Sequence, residues 1–397
     1  MQKDSILLLT KDALCTEYLP CYGNTYWKGQ TPNIDELVKK GTLFTSFYTG
    51  APSSAMAYLS MFTGKYPYEQ PMRTYVPLVN NYEGETLFDK ALKLGYESHI
   101  IWDEKWMTTS YLHSKCFGES TIIHALKNLR QPVGAHYVHA GKLKENDEKL
   151  ENTLMMLKTE ILEICNRDNK VFLWLHLPHV INGRVSYASD IDVFDRILGM
   201  LRGFFDDNNI FVSADHGNMN GHLGKVGYGF DVYEPAARIP LITPRIGNKE
   251  RCTDLVSNVS FFDIIFKRTV PQNEFIYSDT AYYAQPNRKL MIAWNNYRYI
   301  YNKINHSEEL YDIEWDPSQN FNLIADNIYD VDRYVTTPAR EYYFYPKWNN
   351  LDVVREIFRT DRKRIWKEAD RITEIKGYLK FLIKPAFRKF KRKFLKK

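Results

Sequence analysis

The sequence predicts an α/β fold, a mixed and mostly parallel sheet sandwiched by helices, followed by a helical, basic C-terminal extension. Three observations carry this. Continuous apolar runs of strand length at 5–10, 171–176 and 210–214 have the pattern of parallel strands buried on both faces. Helix-period segments separate them, as the crossovers between parallel strands require. Each run also ends in residues with chemistry: Asp12, His176 with His179, and Asp215 with His216. Open α/β sheets gather their sites at the carboxyl ends of such strands.

Taken in order, the run at 5–10 hands the chain directly to Asp12. A helix starts at 31–38, with Thr31 as its cap, Pro32 in its first turn and Asp35 and Glu36 early, and Gly41 ends it. A second β-rich run at 42–48 leads to Gly50-Ala51-Pro52-Ser53-Ser54. There the serine pair stands at the mouth of a helix whose apolar positions Met56, Leu59 and Phe62 run to Thr63-Gly64. A hydroxyl at a helix mouth lies beside free backbone N–H groups and the positive end of the dipole, which suits an anion. It is also an ordinary cap.

Further on, 86–96 reads as a helix with a Gly95 stop, 98–102 as a strand and about 150–164 as a helix. Between 105 and 148 the signals are mixed, and His136 and His139 read as structural or surface residues. Ile191, Phe194, Ile197, Leu198, Leu201 and Phe205 give a helix over 190–205 before the strand at 210–214.

At 397 residues and 44% hydrophobic content the chain can bury a large core. No run reaches the roughly 18 apolar residues of a membrane span, and the apolar start at 6–9 is too short for a signal peptide, which predicts a cytoplasmic protein. Five scattered cysteines lack the spacing of a zinc site or a disulfide framework. The net charge of +5 hides an asymmetry: ten Lys/Arg and no acid fall within 376–397, leaving 43 basic against 48 acidic residues elsewhere.

Two aspartates and an imidazole from separate strand ends make a site suited to one divalent metal, Mn²⁺, Ca²⁺, Mg²⁺ or Zn²⁺, and a serine oxygen completes the set. Such a metal lowers the pKa of the hydroxyl and orients it as a nucleophile toward an anionic ester. Turn formation and capping by the same residues is the alternative.

Seven short segments, in order along residues 5 to 330, resemble the sulfatase-like branch of the alkaline phosphatase superfamily. Residues 6–23 resemble its opening strand and metal-binding Asp; Thr31-Pro32-Asn33-Ile34-Asp35-Glu36-Leu37 with Gly41 and Phe44 resemble the next helix and strand; residues 51–67 resemble the nucleophile segment. Pro178-His179 resembles the substrate-binding Pro-His, and Ser213-Ala214-Asp215-His216-Gly217 the second metal motif. Tyr233-Glu234 with 238–242 resembles the closing strand, and Leu310-Tyr311-Asp312 with Asp316-Pro317 and Asn322-Leu323 the late hairpin. The resemblance implies that Asp12, Asp215, His216 and Ser54 bind the metal. It makes Ser54 the nucleophile and has His179 contact the transferred group, with His222, Lys225 and His176 as further substrate-binding positions and Glu17 a weaker match.

One departure bears on the chemistry. Sulfatases of this branch convert a Cys or Ser followed by x-Pro-x-Arg to formylglycine, whereas Ser54 is followed by Ala55-Met56-Ala57-Tyr58. No formylglycine is expected. A plain hydroxyl suits phosphoryl transfer, as in the branch's phosphoglycerol and phosphoethanolamine transferases, so the expectation is a phosphotransferase. It would move a phosphoryl-alcohol group from a phospholipid-type or other phosphodiester donor, through Ser54, to a glycan or lipid-linked glycan. A sulfatase or phosphodiesterase of the same superfamily, and an inactive glycan-binding relative, are the alternatives.

The division expected is a catalytic α/β domain over 1–335 and a helical extension over 336–397. Within the latter, 351–376 has helical spacing, and in 377–397 Leu379, Phe381, Leu382, Phe387, Phe390 and Phe394 alternate with cations. That pattern suits an anionic membrane surface better than nucleic acid and predicts a peripheral enzyme at the inner face of the membrane.

Overall fold

A computed structural model of the chain describes residues 4–23, 31–69, 84–103, 117, 118, 120–127, 129, 143–166, 168–178, 187–280, 289–324 and 351–369. The first strand, β1 (Ile6–Lys11), is buried at all six positions, which is why its sequence shows no alternation. After it come α1 (Pro32–Lys40), β2 (Thr42–Phe44), β3 (Phe47–Tyr48) and α2 (Ser54–Thr63). The βα alternation continues through α3 (Leu87–Lys93), β4 (Tyr96–Asp103), β5 (Ile122–Leu126), α4 (Leu143–Cys165), β6 (Lys170–Leu177), α5 (Tyr187–Leu201) and β7 (Ile210–Ala214). A short helix α6 (Glu234–Ala237), strands β8 (Leu241–Thr243), β9 (Arg251–Cys252) and β10 (Val256–Ser257), and helix α7 (Phe261–Phe266) close this layer.

Eight strands form the main sheet in the order β5-β4-β6-β1-β7-β8-β2-β9. The five on one side, from β5 to β7, are parallel, whereas β8 runs antiparallel to both β7 and β2. Strand β1 therefore lies between β6 and β7. Thr10 pairs with His176 and Ser213, and Lys11 with Leu177 and Ala214, so Asp12, Pro178 and Asp215 leave the sheet side by side. The backbone bond from Asp12 N to Leu177 O, 2.9 Å, extends that register past the strand end.

A second, antiparallel sheet of four strands follows: β11 (Ile276–Asp279), β12 (Lys289–Trp294), β13 (Tyr297–Asn302) and β14 (Glu308–Asp312), paired in that order. Buried Arg298 of β13 ties it to the main layer, with Nε 3.0 Å from Glu234 Oε1 and Nη2 donating to the Tyr48 hydroxyl at 2.6 Å. The last described helix, α8 (Leu351–Ala369), lies on this sheet, Phe358 stacking on Tyr299 at 5.3 Å between ring centroids.

Three features differ from the sequence expectation. The β-rich run 42–48 is two strands, β2 in the main sheet and β3 paired with β10 in a separate ladder. Strand β5 falls in the stretch of mixed signals; it is an edge strand with half its side chains toward solvent, so it lacks an apolar run. The late hairpin is part of a full four-stranded sheet. The boundary at 335, residues 336–350 and the tail 377–397 lie outside the described residues, as do His136 and His139.

Candidate active site at the carboxyl edge of the sheet

Asp12 follows β1, and the next residue, Ala13, takes the left-handed conformation with φ of 57°. That turn carries Ala13 N–H to Asp215 Oδ1 at 3.1 Å, and His216 N–H reaches the same oxygen at 2.8 Å. Two backbone donors on one oxygen fix the Asp215 carboxylate, and its other oxygen, Oδ2, lies 3.5 Å from His216 Nε2. Asp12 Oδ1 stands at the same 3.5 Å from Nε2 on the β1 side.

The ring of His216 has a defined tautomer. Its Nδ1 lies 2.8 Å from the Gly217 carbonyl oxygen, which can only accept, so Nδ1 carries the proton and the Nε2 lone pair faces the cluster. Gly217 has no alternative here: a Cβ on it would sit 2.0 Å from Pro235 O, because the chain packs directly on α6. Tyr228, from the loop after β7, covers the other side of the imidazole at 4.4 Å between ring centroids.

Ser54 is the first residue of α2. The Ser53 hydroxyl makes no capping bond, and every residue of the helix is buried. Gly64 stops the helix in the left-handed conformation, φ 67°. Ser54 Oγ lies 3.0 Å from His216 Nε2, so four groups from three elements meet in one place.

The donor set fits a divalent cation. Asp12, Asp215 and His216 are all buried and offer ligand atoms within 4.8 Å of one another. Two buried carboxylates facing an imidazole lone pair are a concentration of negative charge that a cation offsets. Oxygen and nitrogen donors in this mix suit Mn²⁺, Mg²⁺, Ca²⁺ or Zn²⁺.

The remaining sequence candidates are placed differently. His176 is buried, with Nδ1 2.9 Å from Thr10 Oγ1 and Nε2 2.8 Å from the Tyr58 hydroxyl. Both of its ring nitrogens are engaged, by Thr10 and Tyr58. Burial pushes its pKa down to about 3 and keeps the ring neutral; the nearby Asp12 charge only partly opposes this. His222 is half-buried near Tyr233, and burial lowers its pKa. Lys225 Nζ pairs with Asp231 Oδ2 at 3.0 Å and lies over the Tyr233 ring. Both belong to the loop that carries Tyr228. Burial pushes Glu17 up, with Arg238 and Glu234 as its charged neighbours. His179 lies outside the described residues.

Two groups at the site escape sequence reading. Lys11, one residue before Asp12, is buried against Asp190 of α5 at 2.5 Å. Tyr58 is buried one turn beyond Ser54. A lysine inside an apolar strand was the available signal for the first, and the spacing of four from Ser54 for the second.

Residues 4–180 match the Sulfatase family model. The chain is 25% identical over 236 residues to an ulvan-active sulfatase of Formosa agariphila, which takes in 54% of this chain and 45% of that protein. It is 31% identical over 109 residues to an N-acetylgalactosamine-6-O-sulfatase of Bacteroides thetaiotaomicron, 26% of this chain and 20% of that one. The matches thus span less than half the length of these curated relatives. Among solved structures, a protein in complex with its substrate D-glucosamine-2-N,6-O-disulfate superposes with a TM-score of 0.63 at 14% identity, over 93% of this chain and 99% of that one. The phosphonate monoester hydrolase of Agrobacterium radiobacter gives 0.59 at 14% identity, over 83% and 93%. The α/β fold is the one these sulfatase and phosphonate hydrolase structures share. Over residues 4–180 the chain resembles the Sulfatase family in sequence, which agrees with the likeness to the sulfatase-like branch read from its motifs.

Proposed function

We propose that the chain is a metal-dependent hydrolase of an anionic ester, sulfate or phosphate, with unmodified Ser54 as the nucleophile. The observation that carries the reading is the 3.0 Å contact of Ser54 Oγ with His216 Nε2 inside the Asp12–Asp215–His216 cluster. The names of the relatives, sulfatases with a phosphonate hydrolase among the fold neighbours, favour hydrolysis over transfer.

Asp12, Asp215 and His216 would hold the metal, which supplies charge to lower the pKa of the Ser54 hydroxyl and to balance the ester's oxygens. His216, its Nδ1 proton held by Gly217, keeps its lone pair directed at the cluster. The N–H groups of the first turn of α2 have no intrahelical acceptor and face an anion held beside Ser54. Ser54 gives up its hydroxyl proton to solvent and Oγ attacks sulfur or phosphorus; the bond to the ester oxygen breaks, and the alcohol leaves with a proton from solvent. Water then attacks the same sulfur or phosphorus, the bond to Ser54 Oγ breaks and Oγ takes back a proton, and the sulfate or phosphate leaves with the water's oxygen.

A second reading, transfer of a phosphoryl-alcohol group to a glycan hydroxyl, is favoured by Met56 and Tyr58 standing where the formylglycine motif has Pro and Arg. An acceptor hydroxyl replaces water in the second step. Association of 377–397 with an anionic membrane belongs to this reading, and no described helix is long and apolar enough to cross a membrane.

The test is turnover of p-nitrophenyl sulfate, p-nitrophenyl phosphate and bis(p-nitrophenyl) phosphate with Mn²⁺ present. Metal-dependent release of nitrophenol from at least one is expected. Release from none overturns the hydrolase reading.

A further inference from the structure

The nucleophile helix carries a second polar group at the cluster. Tyr58 stands four residues beyond Ser54 on α2, on the same helix face. Its ring packs among Phe62, Trp102, Trp174 and His176, and its hydroxyl oxygen lies 2.8 Å from His176 Nε2. Behind His176 the chain of contacts continues: Nδ1 is 2.9 Å from Thr10 Oγ1, and Thr10 Oγ1 accepts from Trp174 Nε1 at 2.8 Å.

These contacts have one polarity that satisfies every group. The indole N–H only donates, so Thr10 accepts from it and has one proton of its own. Among the described residues the acceptor for that proton is His176 Nδ1. A neutral imidazole that accepts at Nδ1 carries its proton on Nε2 and donates it to the Tyr58 oxygen. The Tyr58 proton is then directed away from His176, toward the neighbouring Asp215. Among the described residues the reverse polarity leaves the buried Thr10 hydroxyl proton without an acceptor.

We propose that Tyr58 is a positioning residue: oriented by the Trp174–Thr10–His176 chain, its hydroxyl donates to the Asp215 carboxylate beside Ser54 and sets that carboxylate for the metal ion. It acts through Asp215 and Ser54 and makes no bond to the group being transferred. The proposal rests on the reading of Asp215 as a ligand and Ser54 as the nucleophile. It also gives the tyrosine at the motif's arginine position a use, since a buried phenol held by His176 supplies a donor without adding charge.

Mn²⁺ binding to the metal-stripped full chain, followed by isothermal titration calorimetry, tests it apart from turnover. Tyr58→Phe removes one oxygen and keeps the ring packing. Mn²⁺ affinity is expected to fall about 10–100-fold, the usual effect of losing an outer partner of a ligand. Turnover of bis(p-nitrophenyl) phosphate should fall through kcat with KM little changed. Thr10→Val should follow Tyr58→Phe, and Thr10→Ser should stay near wild type. Wild-type Mn²⁺ affinity in both Tyr58→Phe and Thr10→Val overturns the proposal. Should Tyr58→Phe fail to fold, Thr10→Val against Thr10→Ser decides alone. Wild type that binds Mn²⁺ without turning over any aryl ester overturns the hydrolase reading, and the affinity comparison still decides Tyr58. Wild type that binds no Mn²⁺ overturns both.

Discussion

Ser54 Oγ and His216 Nε2 lie 3.0 Å apart, joining the first residue of α2 to the residue that follows Asp215 beyond β7. Because Gly217 O holds the Nδ1 proton, the serine meets a lone pair and can donate to it. Ser54→Ala removes that hydroxyl and little else. It should lower kcat/KM for the best aryl ester by at least about a thousandfold. Thermal melting should confirm that the fold survives.

The cluster should behave as one metal site. Stripping with EDTA is expected to abolish turnover and lower the melting temperature, because the carboxylates of Asp12 and Asp215 then face each other uncompensated. Mn²⁺ should restore both, as a ligand that binds only the folded state does. Asp215→Asn should lose the Mn²⁺-dependent rise in melting temperature, measured by differential scanning fluorimetry.

His176 gives a pH dependence with a defined sign. Its pKa is near 6.5 in an unfolded chain and about 3 in the fold, so the unfolded state binds the proton more readily. The stability from this group is fully present above about pH 6.5 and is lost as pH falls toward 3. Urea unfolding between pH 7 and 4 should show the loss, on the order of a few kcal/mol. His176→Gln should flatten that slope.

Helix α8 is held by charge. Glu308 receives Arg355, Arg359 and Arg362, at 2.6, 2.7 and 3.0 Å, and the Tyr299 hydroxyl at 2.6 Å. Burial pushes this carboxyl up, but the hydrogen bonds from Arg359, Tyr299 and Arg355 outweigh it and hold it well below the usual carboxylate range. Glu308→Gln leaves three guanidinium groups facing one another and should destabilise the docking of α8 by about 2 kcal/mol. Faster proteolytic release of residues 351–369 is the readout.

The cationic stretch 377–397 offers a separate test. Each cation near an anionic surface contributes about 1 kcal/mol at moderate salt, so the full chain should co-sediment with phosphatidylserine vesicles. Deleting 377–397 should abolish this while leaving aryl ester turnover intact. Undiminished co-sedimentation would refute the membrane role.

The Asp12–Asp215–His216 cluster was legible because its residues lie at strand ends. Full burial of β1 writes itself as an unbroken apolar run, and the same holds for β6 and β7, so Asp12 and Asp215-His216 stand out at their ends. The place of His176 depended instead on strand order: pairing with Thr10 across β1 and β6 puts both side chains on one face, under α2. Sequence alone does not give that neighbour. The division of 42–48 was hidden for the same reason, since β2 and β3 differ in their partners rather than in their composition. Lys11 was readable only as an anomaly, because Asp190, which neutralises it, comes from α5.

Intact-protein mass spectrometry after brief exposure to bis(p-nitrophenyl) phosphate and acid quenching tests the central assignment most directly. The site predicts a nitrophenyl-phosphoryl adduct on wild type that maps to Ser54, needs Mn²⁺ and is missing from Ser54→Ala. Metal-dependent release of nitrophenol that leaves Ser54 unmodified and continues undiminished in Ser54→Ala would contradict it.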